Sequence, residues 1–275
     1  MGLRDLGYVE GKNVVIEYRW ADGKYDRLPE LAAELVRLRV DVVVTYGTPG
    51  TLAAKRAVTT IPIVMMVSGD AVATGLVTGL AQPGGNITGS TFFVSELMAK
   101  RLELLKEALP RIAEVGVFLN QDNSANGPLL QAMEPVAGSL NVRLQSFKVR
   151  GPHEFDAAFL AMAKRGIEAV VFFEDGMMIA NAKAIVDIAA KQRLPSSGPK
   201  DFVEAGSLIG YGVKILELYR RAAYFVDKIL KGTKPGDLPV EQATKFELAV
   251  NLKTAKNLGI TIPKSILLRA DEVID

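Results

Sequence analysis

The sequence predicts an α/β protein of two Rossmann-like lobes, each a parallel sheet flanked by helices, with several crossovers of the chain between them. Three observations carry this expectation. Apolar strand-like runs alternate with amphipathic helical stretches almost from end to end, which calls for parallel strands joined by helical connections. The strand runs are continuous rather than alternating, as in Val42-Val43-Val44, the pattern of a strand covered on both faces. An internal echo matches Asp41-Val42-Val43-Val44-Thr45-Tyr46-Gly47 to Ala169-Val170-Val171-Phe172-Phe173-Glu174-Asp175. Each copy follows a helix rich in Ala, Leu and Arg and precedes a polar turn, a second helix and a proline, Pro62 or Pro195. That spacing is too long for a solenoid repeat and suits two lobes built in succession, although βα units in general share the pattern. The lobes are expected at 1–90 plus 213–236 and at 91–212 plus 237–275, with hinge crossovers near Thr91, Val213 and Pro235.

From the start, Met1-Gly2-Leu3-Arg4-Asp5-Leu6-Gly7-Tyr8 reads as the last turns of a helix ending at Gly7, with something upstream absent. Residues 14–18 read as a strand after the Glu10-Gly11-Lys12-Asn13 turn. A helix is expected over 27–38, with Asp26 as cap and Pro29 in its first turn. The strand 40–45 breaks at Tyr46-Gly47-Thr48-Pro49-Gly50-Thr51, before a helix over 52–58. This turn gathers unpaired N–H groups and the Thr48 and Thr51 hydroxyls at one helix N-terminus, either a cradle for an anion or a turn capped by its own threonine. A strand at 63–67, the turn Ser68-Gly69-Asp70-Ala71-Val72, a short helical piece near 76–81 and the turn Pro83-Gly84-Gly85-Asn86 follow. An extended 87–93 and a helix over 95–109, closed by Pro110, complete the first series.

The second series runs strand 115–119, polar loop 120–126, helix 128–140, strand 142–149, helix 154–165, strand 167–173 and helix 179–193. Short strands are expected within 195–200 and at 207–211. A long amphipathic helix over 215–231 ends at Gly232, and Thr233-Lys234-Pro235-Gly236-Asp237 is the clearest linker. An extended 245–251 and a helix over 252–258 lie in the tail.

Composition removes several classes of function. At 275 residues and 49% hydrophobic, the chain is long enough for a substantial core in each lobe. Its 33 basic and 31 acidic residues sum to +2 without a long run of like charge, so the electrostatic footprint of a nucleic-acid binder is missing. With no cysteine there is no disulfide framework and no thiolate nucleophile. The single histidine, His153, excludes a multi-histidine metal centre and sits in a turn, where a solvated capping role is expected. No metal and no cofactor are predicted. There is no signal peptide, and no apolar run approaches the roughly 18 residues of a membrane-crossing helix.

Open parallel sheets bind ligands at the carboxyl ends of their strands, and the candidate site is read from those ends. It comprises Tyr46, Gly47, Thr48, Ser68, Asp70, Thr91 and Phe92 from the first lobe. The second lobe contributes Asn120, Asn126, Phe173, Glu174, Asp175 and Tyr211. Hydroxyls, amides, carboxylates and rings in one set suit a small zwitterion with an apolar or aromatic side chain, enclosed by hinge closure of the lobes. Helix N-termini would hold the carboxylate, Asp70, Glu174 or Asp175 the ammonium, and the rings the remainder. No catalytic constellation appears: there is no Gly-x-Ser-x-Gly elbow, the histidine lies elsewhere, and Glu174-Asp175 are sequence neighbours rather than a spaced pair. A binding protein is therefore expected. The alternatives are a small-molecule-sensing regulator or receptor domain of the same fold, or a small-molecule enzyme using Glu174 and Asp175. A regulator would need a DNA-binding headpiece, and residues 1–13 contain no helix-turn-helix.

Four motifs point to a family. They are Gly2-Leu3-Arg4-Asp5-Leu6-Gly7-Tyr8-Val9-Glu10-Gly11-Lys12-Asn13, Gln82-Pro83-Gly84-Gly85-Asn86-Ile87-Thr88-Gly89, Phe202-Val203-Glu204-Ala205-Gly206 with Gly210-Tyr211-Gly212, and Leu238-Pro239-Val240-Glu241-Gln242 through Lys245-Phe246-Glu247-Leu248. From residue 2 to 274 the chain resembles the solute-binding component of ABC importers, in the group that includes tryptophan- and tyrosine-binding proteins. The resemblance implies a type I periplasmic-binding-protein fold, no catalysis, an amino acid or aromatic acid as ligand and an ABC permease as partner. It also implies a periplasmic or lipid-anchored extracellular location. It carries ligand roles to Thr48, Asp70, Glu174 and Tyr211. Members of the group begin with a signal sequence and a first β-strand ahead of the helix ending at Gly7, and this sequence has neither. Without that strand the first sheet is left with an edge open to a homodimer contact or an exchanged strand. The sequence also departs from the group at Ser68-Gly69-Asp70-Ala71-Val72, at Ser196-Ser197-Gly198-Pro199 and at Val213-Lys214.

Overall fold

Strands and helices alternate along the chain in the computed structural model, which describes residues 2–275 apart from the side chains of 127–129. The elements begin with α1 (Gly2–Asp5), α2 (Leu28–Arg37), β1 (Val43–Tyr46), α3 (Gly47–Ala57), β2 (Ile63–Gly69) and β3 (Ile87–Phe92). Next come α4 (Val94–Ala108), β4 (Glu114–Asn120), α5 (Asn126–Ser139), β5 (Arg143–Val149), α6 (Phe155–Lys164) and β6 (Ala169–Phe172). They continue with α7 (Gly176–Ala180), α8 (Ala182–Lys191), β7 (Ser196–Gly198), α9 (Lys200–Ala205), β8 (Ile209–Val213) and α10 (Ile215–Leu230). The last are β9 (Glu241–Gln242), β10 (Phe246–Asn251), α11 (Leu252–Leu258), α12 (Lys264–Leu267) and β11 (Glu272–Ile274). The chain folds as two units, Met1–Phe93 with Lys214–Lys245 and Val94–Val213 with Phe246–Asp275. It passes from one to the other three times.

In unit 1 the sheet order is β1-β2-β3-β9, parallel throughout. The continuous apolar run of β2 serves two faces, whereas β1, expected to be covered on both, buries Val43 and Thr45 and exposes Val44 and Tyr46. Ile63 and Met65 of β2 pack with Val43, Ala54, Ile87 and Val240. Val64, between them, packs with Ala222, Phe225, Val226 and Ile229 of α10. Strand β1 is the edge, and its Val44 is 47% exposed.

Four elements of unit 1 differ from the sequence expectation. Residues 14–18 do not form a strand: Val14 makes a single bridge to Glu10, and the rest has no ladder neighbour, with Val15 79% and Trp20 68% exposed. Tyr18 and Trp20 stack on each other with ring centres 5.9 Å apart. The helical piece near 76–81 is instead irregular, a string of bends after the turns at 71–75, because Leu76 and Val77 both donate their N–H back to the Ala71 carbonyl rather than continuing a helix. Helix α3 begins at Gly47 rather than at Leu52; Gly47 takes φ +74°, and Pro49 is tolerated in the first turn, where no N–H is needed. Residues 237–245 stay with unit 1 rather than leaving it near Pro235. Ser90 and Thr91 pair with Glu241 and Gln242, and the Thr88 hydroxyl donates to the Leu238 carbonyl at 2.8 Å.

In unit 2 the sheet order is β11-β10-β8-β7-β6-β4-β5, parallel except that β10 runs antiparallel to β8. Phe118 anchors its core, with Phe155, Phe159 and Phe172 around it at ring-centre distances of 5.7, 5.2 and 6.1 Å. Here a single helix over 179–193 was expected, and the structure has two. Asp175 caps α7 at its start, and Asn181 interrupts the helix before α8. Helix α9 was not foreseen either; it ends at Gly206, whose φ of +119° suits glycine.

Candidate functional site

Two groups of strand-end residues form, one in each unit. In unit 1, β1, β2 and β3 finish side by side; the hydroxyls of Thr48, Ser68 and Thr91 are engaged with one another and with backbone, while the buried Ser90 Oγ has no hydrogen-bond partner among the described residues. Thr48 Oγ1 lies 3.1 Å from Ser68 Oγ and accepts from the Gly69 N–H at 3.2 Å. Thr91 Oγ1 accepts from the Ala71 N–H and reaches the Ser68 and Gly69 carbonyls at 3.3 Å. Asp70 caps its own turn, with Oδ1 accepting from the Val72 and Ala73 N–H groups. Thr48, Ser68, Thr91 and Phe92 are buried, while Tyr46, at the end of the edge strand, is exposed. The structure therefore gathers Gly47, Thr48, Ser68, Asp70 and Thr91 into one tightly bonded pair of turns, and this network sets their loop geometry.

Unit 2 holds a different chemistry at the carboxyl ends of β4, β6 and β8. Asp175 Oδ1 accepts from the Met177 and Met178 N–H groups and from Asn120 Nδ2, and Oδ2 accepts from Asn123 Nδ2 at 2.9 Å. Asn126 Nδ2 donates to the Asn120 carbonyl. Asn120, Asn123, Asn126 and Asp175 are thus one buried network joining the loop after β4 to the start of α7. Phe173 belongs to the core beneath it, fully buried. Tyr211 is half-buried, stacked on Phe246 at 5.8 Å, and burial raises its phenol pKa.

Glu174, next to Asp175, is held in another way. Its Oε1 lies 2.9 Å from Nη2 of Arg101, a residue of α4 whose side chain is 0% exposed. Arg101 Nη1 donates to the Phe172 carbonyl at 3.1 Å and Nε to the Tyr211 carbonyl at 2.7 Å. Burial pushes the Glu174 carboxyl above the usual carboxylate range and the Arg101 guanidinium below its own, each opposed by the other's charge. Two buried acceptors at this edge have no hydrogen-bond partner among the described residues, Glu174 Oε2 and Asn126 Oδ1. Buried acceptors are rarely left so, and a cationic donor answers the need. The arrangement can take an ammonium group. Among the described residues, no group of three His, Asp or Glu side chains could hold a metal ion, and no helix is long and apolar enough to cross a membrane.

Arg101 escaped the sequence reading, yet a signal was present. Val94, Leu97, Met98, Arg101, Leu102 and Leu105 recur at helical spacing on the buried side of α4. An arginine within such a stripe demands a buried acid or carbonyls.

The family model described as "ABC transporter substrate binding protein" matches residues 1–274. The chain is 26% identical over 259 residues to the tyrosine-binding protein of Clostridioides difficile (strain R20291), which covers 94% of this chain and 74% of that protein. Among solved structures, an ABC domain from Streptococcus pneumonia in complex with L-Trp matches with a TM-score of 0.91 at 25% identity, over 99% of this chain and 92% of that one. A conserved domain protein from Vibrio cholerae O1 biovar eltor strain N16961 matches with a TM-score of 0.93 at 30% identity, over 99% and 91%.

Proposed function

Since the chain belongs to the ABC transporter substrate-binding protein family, we propose that it is the solute-binding component of an ABC importer whose solute is an aromatic amino acid. The observation that carries the amino-acid reading is Glu174, a carboxylate at the strand ends of unit 2 with one oxygen buried and unpartnered among the described residues. An α-ammonium group supplies the donor that this oxygen lacks, and Asn126 Oδ1 offers a further acceptor. The Tyr211 ring is half-buried, stacked on Phe246 and packed against the core cluster that holds Leu104, Leu248 and Ile266, so the aromatic preference rests on the relatives. Two relatives support the aromatic preference, one named for tyrosine and one solved with L-Trp. The protein carries its solute unchanged: Asp175 is committed to capping α7, and Asp201, whose charge also bears on Glu174, is an exposed residue in the first turn of α9. Delivery to a permease and a location outside the cytoplasmic membrane belong to the same proposal.

Calorimetric titration with L-tyrosine and L-tryptophan, followed by extraction of the ligand, tests this reading. Binding with recovery of intact amino acid is expected. At a hundred times its dissociation constant the ligand should stabilise the fold by about 2.7 kcal/mol. Absence of binding by either compound would sink the aromatic amino-acid assignment, and a converted ligand would favour an enzyme.

A further inference from the structure

Resting on the amino-acid reading of Glu174, we infer that Arg101 is a positioning residue for selectivity. It fixes Glu174 so that one carboxylate oxygen is left for the ligand's ammonium, and the protein thereby prefers α-amino acids to the same acids without the amino group.

The position of Arg101 follows from a break in the sheet. Strand β7 pairs with β6 through Val170↔Ser196 and Val171↔Ser197, and with β8 through Ser197↔Ile209 and Gly198↔Gly210. The next residue, Pro199, has no N–H to continue either ladder. Beyond it the Phe172 carbonyl on β6 and the Tyr211 carbonyl on β8 take their donors from Arg101 Nη1 and Nε. The guanidinium thus fills the place where β7 stops, tied to strands on both sides of it. Its third nitrogen, Nη2, faces Glu174 Oε1 at 2.9 Å, an ion pair rather than an aligned hydrogen bond. A planar fork reaches three fixed acceptors at once; a lysine ammonium, a single point charge, does not.

Gly212 adds an independent sign that this place is reserved. A Cβ built there would meet Glu174 Oε1 at 3.1 Å, Arg101 Nη2 at 3.4 Å and the Pro199 Cα at 3.6 Å. Strand β8 is therefore open at the one point where the ion pair lies against it. With Oε1 facing Arg101, the carboxylate cannot turn freely, and Oε2 stays buried without a partner among the described residues. A fully buried guanidinium needs a counter-charge as well as the two carbonyls, and one oxygen of Glu174 is enough to supply it. Engagement of Glu174 by the third nitrogen, with its other oxygen left over, gives the arrangement its recognition role.

The test measures dissociation constants for L-tryptophan and indole-3-propionate, and for L-tyrosine and 3-(4-hydroxyphenyl)propionate. The proteins are the wild type, Arg101→Lys, Glu174→Gln and the double variant Arg101→Met/Glu174→Gln, which leaves no unpaired buried charge and so guards against a folding failure. The wild type should favour the amino acids by about tenfold or more, as a charge-assisted hydrogen bond predicts. Arg101→Lys should lower that preference by about tenfold while the deaminated acids bind within about threefold of wild type. The double variant should show the same preference as Glu174→Gln alone. Equal weakening of both ligand types in Arg101→Lys, or a further fall in preference from Glu174→Gln to the double variant, overturns the positioning role. Wild type that binds the amino acids without preference overturns it too while leaving an aromatic solute in place. Wild type that binds neither amino acid removes the aromatic amino-acid reading itself, and this inference with it.

Discussion

Glu174 and Asp175 are adjacent acids with opposite commitments, and only their surroundings separate them. Asp175 accepts from two backbone N–H groups at the start of α7 and from the amides of Asn120 and Asn123, a helix cap merged with a loop anchor. Glu174 faces one guanidinium and keeps an oxygen unpartnered among the described residues. Asp175→Ala removes the cap and strands two buried amides, so it should cost about 2–4 kcal/mol in denaturant unfolding. A loss below about 1 kcal/mol would mean that water takes over those bonds. The sequence marked both acids as strand-end candidates because the carboxyl end of a buried strand is readable from its apolar run. The local N–H groups of Met177 and Met178 that make Asp175 a cap lie only two and three residues on, but the Asn120 and Asn123 amides that bury it lie 55 and 52 residues away and were not readable. Arg101 was hidden for the same reason: its partners Phe172 and Tyr211 are 71 and 110 residues distant.

Elements were legible where apolar runs and glycine or proline punctuation agreed, and not where a segment needed a neighbour. The run at 14–18 has the composition of a strand, yet without a ladder partner it stays extended and solvent-facing. Local hydrogen bonding overrode periodicity at 76–81, and a cap moved the start of α7 ahead of the expected helix. Among the small elements, α12 is fastened to α4 by polar contacts: Glu107 Oε1 accepts from Ser265 Oγ and Oε2 pairs with Arg269. The Ser265 hydroxyl first, then Arg269, holds the Glu107 carboxyl below its ordinary value of 4.5. A depressed folded pKa means this contribution is present above 4.5 and is lost as pH falls through the lowered value. Because the pair is partly exposed, its worth is below about 1 kcal/mol. Glu107→Gln should therefore be slightly less stable than wild type near neutral pH, and the gap should narrow as pH falls below 4.5 and through the lowered value. A gap that persists unchanged into acid would show that the carboxylate charge is not what fastens α12.

At the scale of the molecule, the internal echo was a truthful sign of two α/β units, but the sequence did not show how much of unit 1 returns late in the chain. The segment 1–93 supplies β1, β2 and β3, and it leaves one face of that sheet without a cover of its own. That cover is α10, whose Ala222, Phe225, Val226 and Ile229 pack on Val64. The neighbour of β3 is β9, from the same late segment. Burying Phe225, Val226 and Ile229 alone is worth about 5–8 kcal/mol, comparable to the entire stability of an ordinary domain at about 5–15 kcal/mol. A fragment of residues 1–93 should therefore fail to fold. The same fragment joined to 214–245 through a flexible glycine-serine linker restores both α10 and β9, and it should unfold cooperatively on heating with the circular dichroism of an α/β protein. Cooperative melting of the 1–93 fragment alone would show that the first three strands need neither the helix nor the late strand, and that the chain's return to unit 1 stabilises it only marginally.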